Sequence, residues 1–289
     1  MKEIVKEKIA SLLSGGEEIQ SVEQLGGMTN QNYLVKTSSN QYIVKFFGKG
    51  TDKLIDRQNE KFNLELLKDL KLDVENYLFD IDAGIKVNQY IENAETLDST
   101  TIKTKFEKIA PILQTIHASG KELKGEFAPF EEIKKYESLI QGEISYPNYE
   151  VVRKSVFSLK DQLEEIGMDK KSCHIDLVPE NFIEGPDGHL YLIDWEYSSM
   201  NDPMWDLAAL FLESEFTPEE EADFLAYYEG DKTPVSREKI RIYKILQDII
   251  WSLWTIYKEE NGADFGDYGI TRYNRAVKEL DCEGDLDEN

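Results

Sequence analysis

The sequence predicts an α+β protein of two lobes, a small antiparallel-sheet lobe with one helix and a larger, mainly helical lobe. Three observations predict this class. Strand-like segments joined by tight turns are concentrated in the N-terminal third, and apolar residues recur at helical spacing from Thr101 onward. One strand-rich island between Ser172 and Tyr197 interrupts the helices. We place the lobes at 1–92 and 93–289, and 289 residues are sufficient for both.

The first lobe is expected to begin with a short helix over 4–13, followed by antiparallel strands around a glycine-bearing loop. The predicted strands are 32–37, 41–47, 77–79 and 84–89, and Ser38-Ser39-Asn40 forms the first turn. Between the strand pairs, spacing predicts a helix over about 57–70 with Phe62, Leu66, Leu67 and Leu70 facing inward.

The second lobe is predicted as a series of amphipathic helices. Their ranges are 105–118, 130–140, 151–166, 203–213, 218–228, 237–260 and 268–280. The acidic tail 281–289 is expected to fray.

Composition limits the partners and the compartment. The net charge of −24 disfavours nucleic acid and anionic membranes and favours a small cation, so an anionic ligand would need local positive charge. The two cysteines provide no disulfide framework and indicate a reducing compartment. We find no secretory signal, and the longest apolar run, 249–257, is too short to span a bilayer, so we expect a cytoplasmic protein.

The strongest functional signal is His174-x-Asp176-x4-Asn181, followed by an apolar strand that ends in Asp194. Phosphoryl transfer needs a carboxylate to orient and deprotonate the acceptor hydroxyl, and an amide and a second carboxylate to hold Mg²⁺. Asp176 is the predicted base, and Asn181 and Asp194 are the predicted metal ligands across the turn at Gly185. The alternative for any one residue is structural, and His174 is assigned to holding the loop. Asp206 either ties this loop or caps a helix, and the sequence leaves both open.

An ATP site also needs positive charge and backbone donors from the first lobe. Lys45 ends an apolar strand, where it can reach the α- and β-phosphates, and Glu60 on the next helix is its predicted partner, with Glu65 as a competitor. Solvated surface charges are the alternative reading. The loop containing Gly27, Met28, Thr29, Asn30 and Asn32 is placed to cradle phosphate, although glycine-bearing turns are common. Gln89, Tyr90 and Ile91 follow the last strand, where backbone groups can meet adenine.

With these motifs in place, the chain resembles the choline/ethanolamine kinase branch of the protein-kinase-like phosphotransferases, and most closely the bacterial choline kinases of the lic type. The resemblance covers essentially the whole chain. It rests on the Gly26–Asn30 loop, the Asp176 and Asn181 motif, 193–197, Glu213, and Trp251-x-x-Trp254 with Phe265 and Tyr268 beyond. It implies a kinase-like, aminoglycoside phosphotransferase-like fold. It also implies Mg·ATP as the phosphoryl donor and choline as the acceptor, with the phosphocholine used to decorate cell-surface polymers.

The resemblance further implies a choline pocket formed by Asp176, Glu196, Tyr197, Glu213, Trp251, Trp254 and Tyr268. A quaternary ammonium donates no hydrogen bonds, so aromatic faces with a nearby carboxylate suit it. From the residues alone, two Trp on one helix face are more simply core. The segment between Trp254 and Tyr268 is shorter than in longer eukaryotic relatives, which leaves Phe265 uncertain as a pocket wall, and Phe216 is a candidate for one further pocket position. Alternatives are an ethanolamine or aminoglycoside kinase of the same fold, or an inactive cation-binding module; the oligomeric state stays open.

Overall fold

The structure is a computed structural model that describes residues 2–9, 12–13, 17–27, 29–229 and 235–284. The strands are β1 (Ile19–Gln24), β2 (Gln31–Thr37), β3 (Gln41–Phe46), β4 (Asn76–Asp80), β5 (Ile85–Gln89), β6 (Glu95–Thr96), β7 (Lys171–Cys173), β8 (Phe182–Glu184), β9 (Leu190–Leu192) and β10 (Ser199–Asn201). The helices are α1 (Lys2–Lys8), α2 (Arg57–Leu67), α3 (Phe106–His117), α4 (Pro129–Leu139), α5 (Tyr149–Ile166), α6 (Pro203–Glu213), α7 (Pro218–Tyr228), α8 (Arg237–Glu260) and α9 (Tyr268–Gly284).

The chain divides into two compact units. The first unit comprises Met1–Asp98 together with Glu180–Tyr197, and the second comprises Ser99–Pro179 and Ser198–Asn289. The first change of unit lies at Asp98, whereas the expected lobe boundary lies at 92. The segment that carries β8 and β9 joins the N-terminal unit, although the sequence pattern placed it in the helical lobe.

The first unit is built on a five-stranded antiparallel sheet with the order β1-β2-β3-β5-β4. Apolar residues alternate along the strands, and their buried face packs with Val5 and Ile9 of the N-terminal segment. A second sheet has the order β6-β8-β9 and carries the hairpin that follows Asn181.

Helix α2 corrects one of our expectations. Its buried residues are Arg57, Glu60, Asn63 and Leu67, whereas Phe62, expected to face inward, is 41% exposed. The helix therefore turns charged side chains toward the interior of its unit. Such groups are costly to bury unless they are paired, which makes their partners the informative contacts.

The second unit is organised around α8, which packs against α4, α5, α6 and α9. Most side chains of α8 from Lys239 to Lys258 are buried. Strands β7 and β10 form a short antiparallel pair, in which β7 leads into the loop that carries Asp176 and β10 leads into α6. In the ranges that the structure describes, no helix combines the length and the apolarity that a membrane crossing requires.

Candidate active site

The predicted metal ligands lie on either side of the β8–β9 hairpin in the first unit. The Ile193 N–H donates to the Asn181 carbonyl oxygen at 2.8 Å, which brings the two ends of the hairpin together. Asp194 follows directly and has φ = 66°, a left-handed conformation that costs free energy for a residue with a side chain. An amide and a carboxylate are oxygen donors of the kind that Mg²⁺ prefers, so these residues fit the predicted metal.

Lys45 is the cation that meets this hairpin. Its Nζ donates to Asp194 Oδ1 at 2.6 Å, and the lysine is only 6% exposed. Burial alone would lower the pKa of Lys45, but the negative charges of Asp194 and Glu196 outweigh it and the pKa is raised. The lysine is therefore held as a cation beside the carboxylate predicted to bind metal.

The predicted pairing of Lys45 with Glu60 is not the one the structure contains. Glu60 accepts from Lys86 Nζ at 2.9 Å and from Arg57 at 2.6 Å, and it is 1% exposed. The positive charges of Lys86 and Arg57 overcome the opposing effect of burial and lower the pKa of Glu60. Its competitor Glu65, on the same helix, is exposed.

Arg57 connects α2 with the glycine loop and with the turn after Asp194. It donates to Glu196 at 2.9 Å and to Asn30 Oδ1 at 3.0 Å, and its guanidinium lies 4.1 Å from the centre of the Phe47 ring. Asn30 in turn donates to Glu196 at 2.7 Å. Burial and the charge of Asp194 raise the pKa of Glu196, while Lys45 and Arg57 oppose that change. Glu196, expected to bind substrate, is thus engaged with the loop.

The glycine loop is shaped by its own side chains and by close backbone approach. A Cβ on Gly27 would lie 2.7 Å from the Asn30 carbonyl oxygen, and a Cβ on Gly48 would overlap the Thr29 carbonyl oxygen. Asn32 donates to the Gly26 carbonyl oxygen at 3.0 Å. Asn30 and Asn32 therefore hold the loop, and the binding of phosphate by its backbone N–H groups stays a prediction. Met28 lies outside the described residues.

The proposed adenine-contacting segment continues directly from β5. Gln89 is the last residue of that strand, and its N–H donates to the Glu75 carbonyl oxygen at 2.8 Å. Tyr90 and Ile91 follow it and are half-buried. Their contact with adenine stays a prediction.

Asp176 lies in the second unit on a loop that is held by buried hydrogen bonds. Asp206 accepts from the backbone N–H groups of His174 and Ile175, both at 2.8 Å, and Trp205 Nε1 donates to the Ile175 carbonyl oxygen at 3.0 Å. Ile175 has φ = 79°, which is strained for a β-branched residue. Asp176 itself is half-buried between buried neighbours. The backbone is therefore strained directly before the carboxylate that is predicted to act as the base.

These contacts decide between the two roles left open for Asp206. Asp202, not Asp206, caps α6, because its side chain accepts from the Met204 N–H. Asp206 ties the loop. It also meets His117 Nε2 at 3.0 Å, and the other ring nitrogen of His117 lies 2.6 Å from the Tyr228 hydroxyl.

Cys173 completes a compact trio with His117 and Asp206, whose potential ligand atoms lie within 4.8 Å of one another. Burial raises the pKa of the Cys173 thiol well above its usual value, which disfavours the thiolate that a metal would need. Both nitrogens of His117 are already occupied. We interpret the trio as support for the loop.

An aromatic cluster in the second unit contains three of the seven predicted choline-pocket residues. Trp251 and Trp254 on α8 have ring centres 6.5 Å apart and planes at 87°. Phe265 lies 5.0 Å from Trp254 and 6.4 Å from Tyr268, so the shorter connection still brings it into the cluster. Phe216 instead packs against Phe106 and Phe211 in a separate aromatic group.

The carboxylate predicted for this pocket is engaged in a buried ion network. Glu213 accepts from Arg272, which also donates to Asp248 at 3.0 Å and places its guanidinium 4.8 Å from the centre of the Tyr268 ring. Asp248 accepts from Arg275 as well, at 2.6 Å.

Burial raises the pKa of Tyr268, and the negative charges of Glu213 and Asp176 add to the shift against Arg272. Asp176 and the aromatic cluster therefore share one electrostatic neighbourhood within the second unit.

The structure places Lys45, Asn181 and Asp194 together in the first unit, with Glu196 and Tyr197 in the turn that follows. Asp176, Glu213, Trp251, Trp254 and Tyr268 belong to the second unit. Sequence reasoning missed four buried residues that hold these groups, namely Arg57, Lys86, His117 and Arg272. The sequence does not show which charged residues on a helix or strand are buried, so it carried no signal for these four.

Comparison with known proteins points to the same class of protein as the geometry of the site. A model of choline/ethanolamine kinase matches residues 22–239. The crystal structure of choline kinase LicA from Streptococcus pneumoniae shares 76% identity, covers 98% of this chain and 99% of that chain, and has a TM-score of 0.95. A structure of LicA in complex with AMP shares 77% identity over 97% and 98% of the two chains, with a TM-score of 0.93. Protein LicA of Haemophilus influenzae is 32% identical over 269 residues, which is 89% of this chain and 79% of that protein. The predicted two-lobed, kinase-like fold class is thereby confirmed.

Proposed function

The chain belongs to the choline/ethanolamine kinase family, and from that premise we propose that it is an ATP-dependent choline kinase. It transfers the γ-phosphoryl group of Mg·ATP to the hydroxyl of choline and releases phosphocholine and ADP. The similarity to a choline kinase at 76% identity over nearly the whole chain supports the reaction class. We further propose that the phosphocholine serves the decoration of cell-surface polymers.

The observation that carries the choice of acceptor is the aromatic cluster of Trp251, Trp254, Phe265 and Tyr268 beside Glu213. A quaternary ammonium is recognised by ring faces and by nearby negative charge, without directional hydrogen bonds. A kinase for a primary ammonium or an aminoglycoside would need more carboxylate acceptors and fewer rings. The cluster therefore favours choline over both.

The nucleotide half of the reaction is assigned to the first unit. Lys45 binds the α- and β-phosphates, the backbone of the glycine loop covers them, and Gln89 to Ile91 meet the adenine. Asn181 and Asp194 would hold Mg²⁺, which neutralises phosphate charge when bound. Lys45 bonds to Asp194 in this structure and must shift toward phosphate when nucleotide enters.

Asp176 performs the acceptor chemistry in this proposal. Its carboxylate accepts a hydrogen bond from the choline hydroxyl and orients the oxygen for in-line attack on the γ-phosphorus. A P–O bond forms to choline as the bond from the γ-phosphorus to the bridging oxygen of ADP breaks, and the hydroxyl proton passes to Asp176. The strained Ile175 and the Asp206 tie fix the direction of this carboxylate.

An ADP-release assay with Mg·ATP and choline, ethanolamine or kanamycin tests the proposal. We expect turnover with choline to exceed turnover with the other two, and Asp176→Ala to abolish it. Greater turnover with ethanolamine or kanamycin would replace choline as the acceptor. ATP consumption that does not depend on any added amine, or no consumption at all, would remove the proposed kinase activity.

A further inference from the structure

The predicted choline pocket in the second unit has a buried positively charged residue, Arg272, beside it. Arg272 is 4% exposed, and it contacts Glu213, Asp248 and the face of Tyr268. A positive residue beside a site for a cation is unexpected on charge alone. Its contacts suggest that it sets what kind of cation the site accepts.

The charges around Arg272 nearly balance. Two carboxylates, Glu213 and Asp248, face two guanidiniums, those of Arg272 and Arg275. Burial alone would lower the pKa of Arg272, but Glu213, Tyr268 and Asp248 more than compensate and raise it, so the residue stays charged. Glu213 consequently offers the aromatic cluster less net negative charge than an isolated carboxylate would.

Quaternary and primary ammonium groups respond differently to such a carboxylate. A primary ammonium loses water on burial and needs hydrogen-bond acceptors to replace it, whereas a trimethylammonium group needs only ring faces and a diffuse negative field. Glu213 Oε1 is already accepting from Arg272. One of the two carboxylate oxygens of Glu213 is thus engaged by the protein and is not available to a ligand.

We propose that Arg272 is a specificity-determining residue that favours choline over ethanolamine by holding Glu213 in an ion pair and fixing the Tyr268 ring. This inference rests on the proposed function. It assigns Arg272 a positioning role, since it acts through Glu213 and Tyr268 and not on the reacting atoms. Removal of Arg272 frees a hydrogen-bond acceptor on Glu213, which the ammonium group of ethanolamine can use and the trimethylammonium group of choline cannot.

The test measures kcat/KM for choline and for ethanolamine in Arg272→Met, Arg272→Lys and Arg275→Met. In Arg272→Met we expect the ratio of ethanolamine to choline to rise about tenfold or more, mainly through a lower KM for ethanolamine, with the KM for ATP unchanged. Arg272→Lys retains the charge and should stay near the wild-type ratio. Arg275→Met is the matched control, because it removes a guanidinium from the same helix that contacts Asp248 but not Glu213.

An unchanged ratio in Arg272→Met, or an equal change in Arg275→Met, overturns the inference. Wild-type protein that phosphorylates neither amine overturns the proposed function itself, so the two failures are distinguishable. Should Arg272→Met fail to fold, R272M is combined with D248N, which neutralises the buried Asp248 carboxylate that has lost one of its two guanidinium partners. Arg275 is 39% exposed through its side chain and tolerates the loss of its partner, so the same ratio is read from the double variant.

Discussion

Each unit contains a buried ion network built around a bridging arginine, and the two networks connect different kinds of structural element. Arg57 bonds to Asn30, Glu60 and Glu196, and so joins a helix, the glycine loop and the turn after Asp194. Arg272 bonds to Glu213 and Asp248, on two other helices. The first network joins the glycine loop and the turn after Asp194 to a helix, and the second lies beside the Tyr268 ring. An arginine fork suits both tasks, because several donors in one plane can satisfy carboxylates from different elements.

The comparison teaches that a paired carboxylate can stabilise the fold or remain available to a ligand, depending on how exposed the pair is. Glu60 and Glu196 meet Arg57 in a nearly closed environment, whereas Asp194 meets Lys45 at a site with 26% of its own side chain exposed. The open pair can exchange its partner for a ligand. The closed pairs can be removed only at a cost to folding.

The largest expected effect separates the open carboxylate from the closed ones. Asp194→Asn should lower kcat by about 10³-fold or more with Mg·ATP, because it removes the charge that holds metal and phosphate in line. The free energy of unfolding should fall by less than for a closed pair, because Asp194 is 26% exposed and the negative charges of Glu196 and Glu60 still act on the buried Lys45. Steady-state kinetics and a thermal melt measure both quantities. Asp187→Asn, in the turn of the same hairpin, is the control, and equal losses in both variants would contradict the assignment.

The next effect tests the closed pairs. Glu60→Gln should reduce the free energy of unfolding by about 3–5 kcal/mol, because Arg57 and Lys86 lose a buried charged partner. Glu65→Gln, on the exposed face of the same helix, should change it by less than about 0.5 kcal/mol. Urea denaturation monitored by circular dichroism gives both values. Matching changes in the two variants would mean that Glu60 is not buried in a pair.

A smaller effect tests the predicted choline pocket in the second unit. Trp254→Ala should raise the KM for choline about tenfold, the scale of one desolvated cation–π contact, and leave the KM for ATP unchanged. Trp254→Phe keeps a ring in the cluster and should restore much of the affinity. If choline KM stays at the wild-type value in Trp254→Ala, the aromatic cluster is core packing and not a binding pocket.

The smallest effect is a pH dependence in the first unit. Burial raises the pKa of Asp73 to about 7, against the opposing charge of Lys86 and with Asp194 adding to the shift. The folded protein therefore holds a proton that the unfolded chain releases near pH 4, and this contribution to stability declines as pH rises from about 4 to 7.

Asp73→Asn removes the charge that forms above that range. Its melting temperature should exceed that of the wild type by about 2 °C or more at pH 8 and by less at pH 5. Differential scanning fluorimetry at the two pH values provides the measurement. A difference that is larger at pH 5 than at pH 8 would reverse the sign and contradict a raised pKa.

Much of the helical unit could be predicted because its helix ends are specified locally. Helices α6, α7 and α8 begin and end at the predicted residues, since Asp202, Thr217 and Ser236 accept hydrogen bonds from the first turns. Proline at the first helical position strengthens two of these starts. The spacing of Asp176, Asn181 and Asp194 likewise predicted the functional loops, because the proposed chemistry requires fixed residue types at short separations.

The sequence by itself determined the order of strands and helices and the family, and it supplied the prediction of which residues carry the chemistry. The inward face of α2 was decided only by the tertiary structure, as were the partner of Glu60 and the engagement of Glu196 and Glu213 with arginines. The physical reason is that a charged residue is buried only where a partner compensates its lost hydration. That partner is remote in the chain, as with Arg57 and Glu196, which are separated by 139 positions.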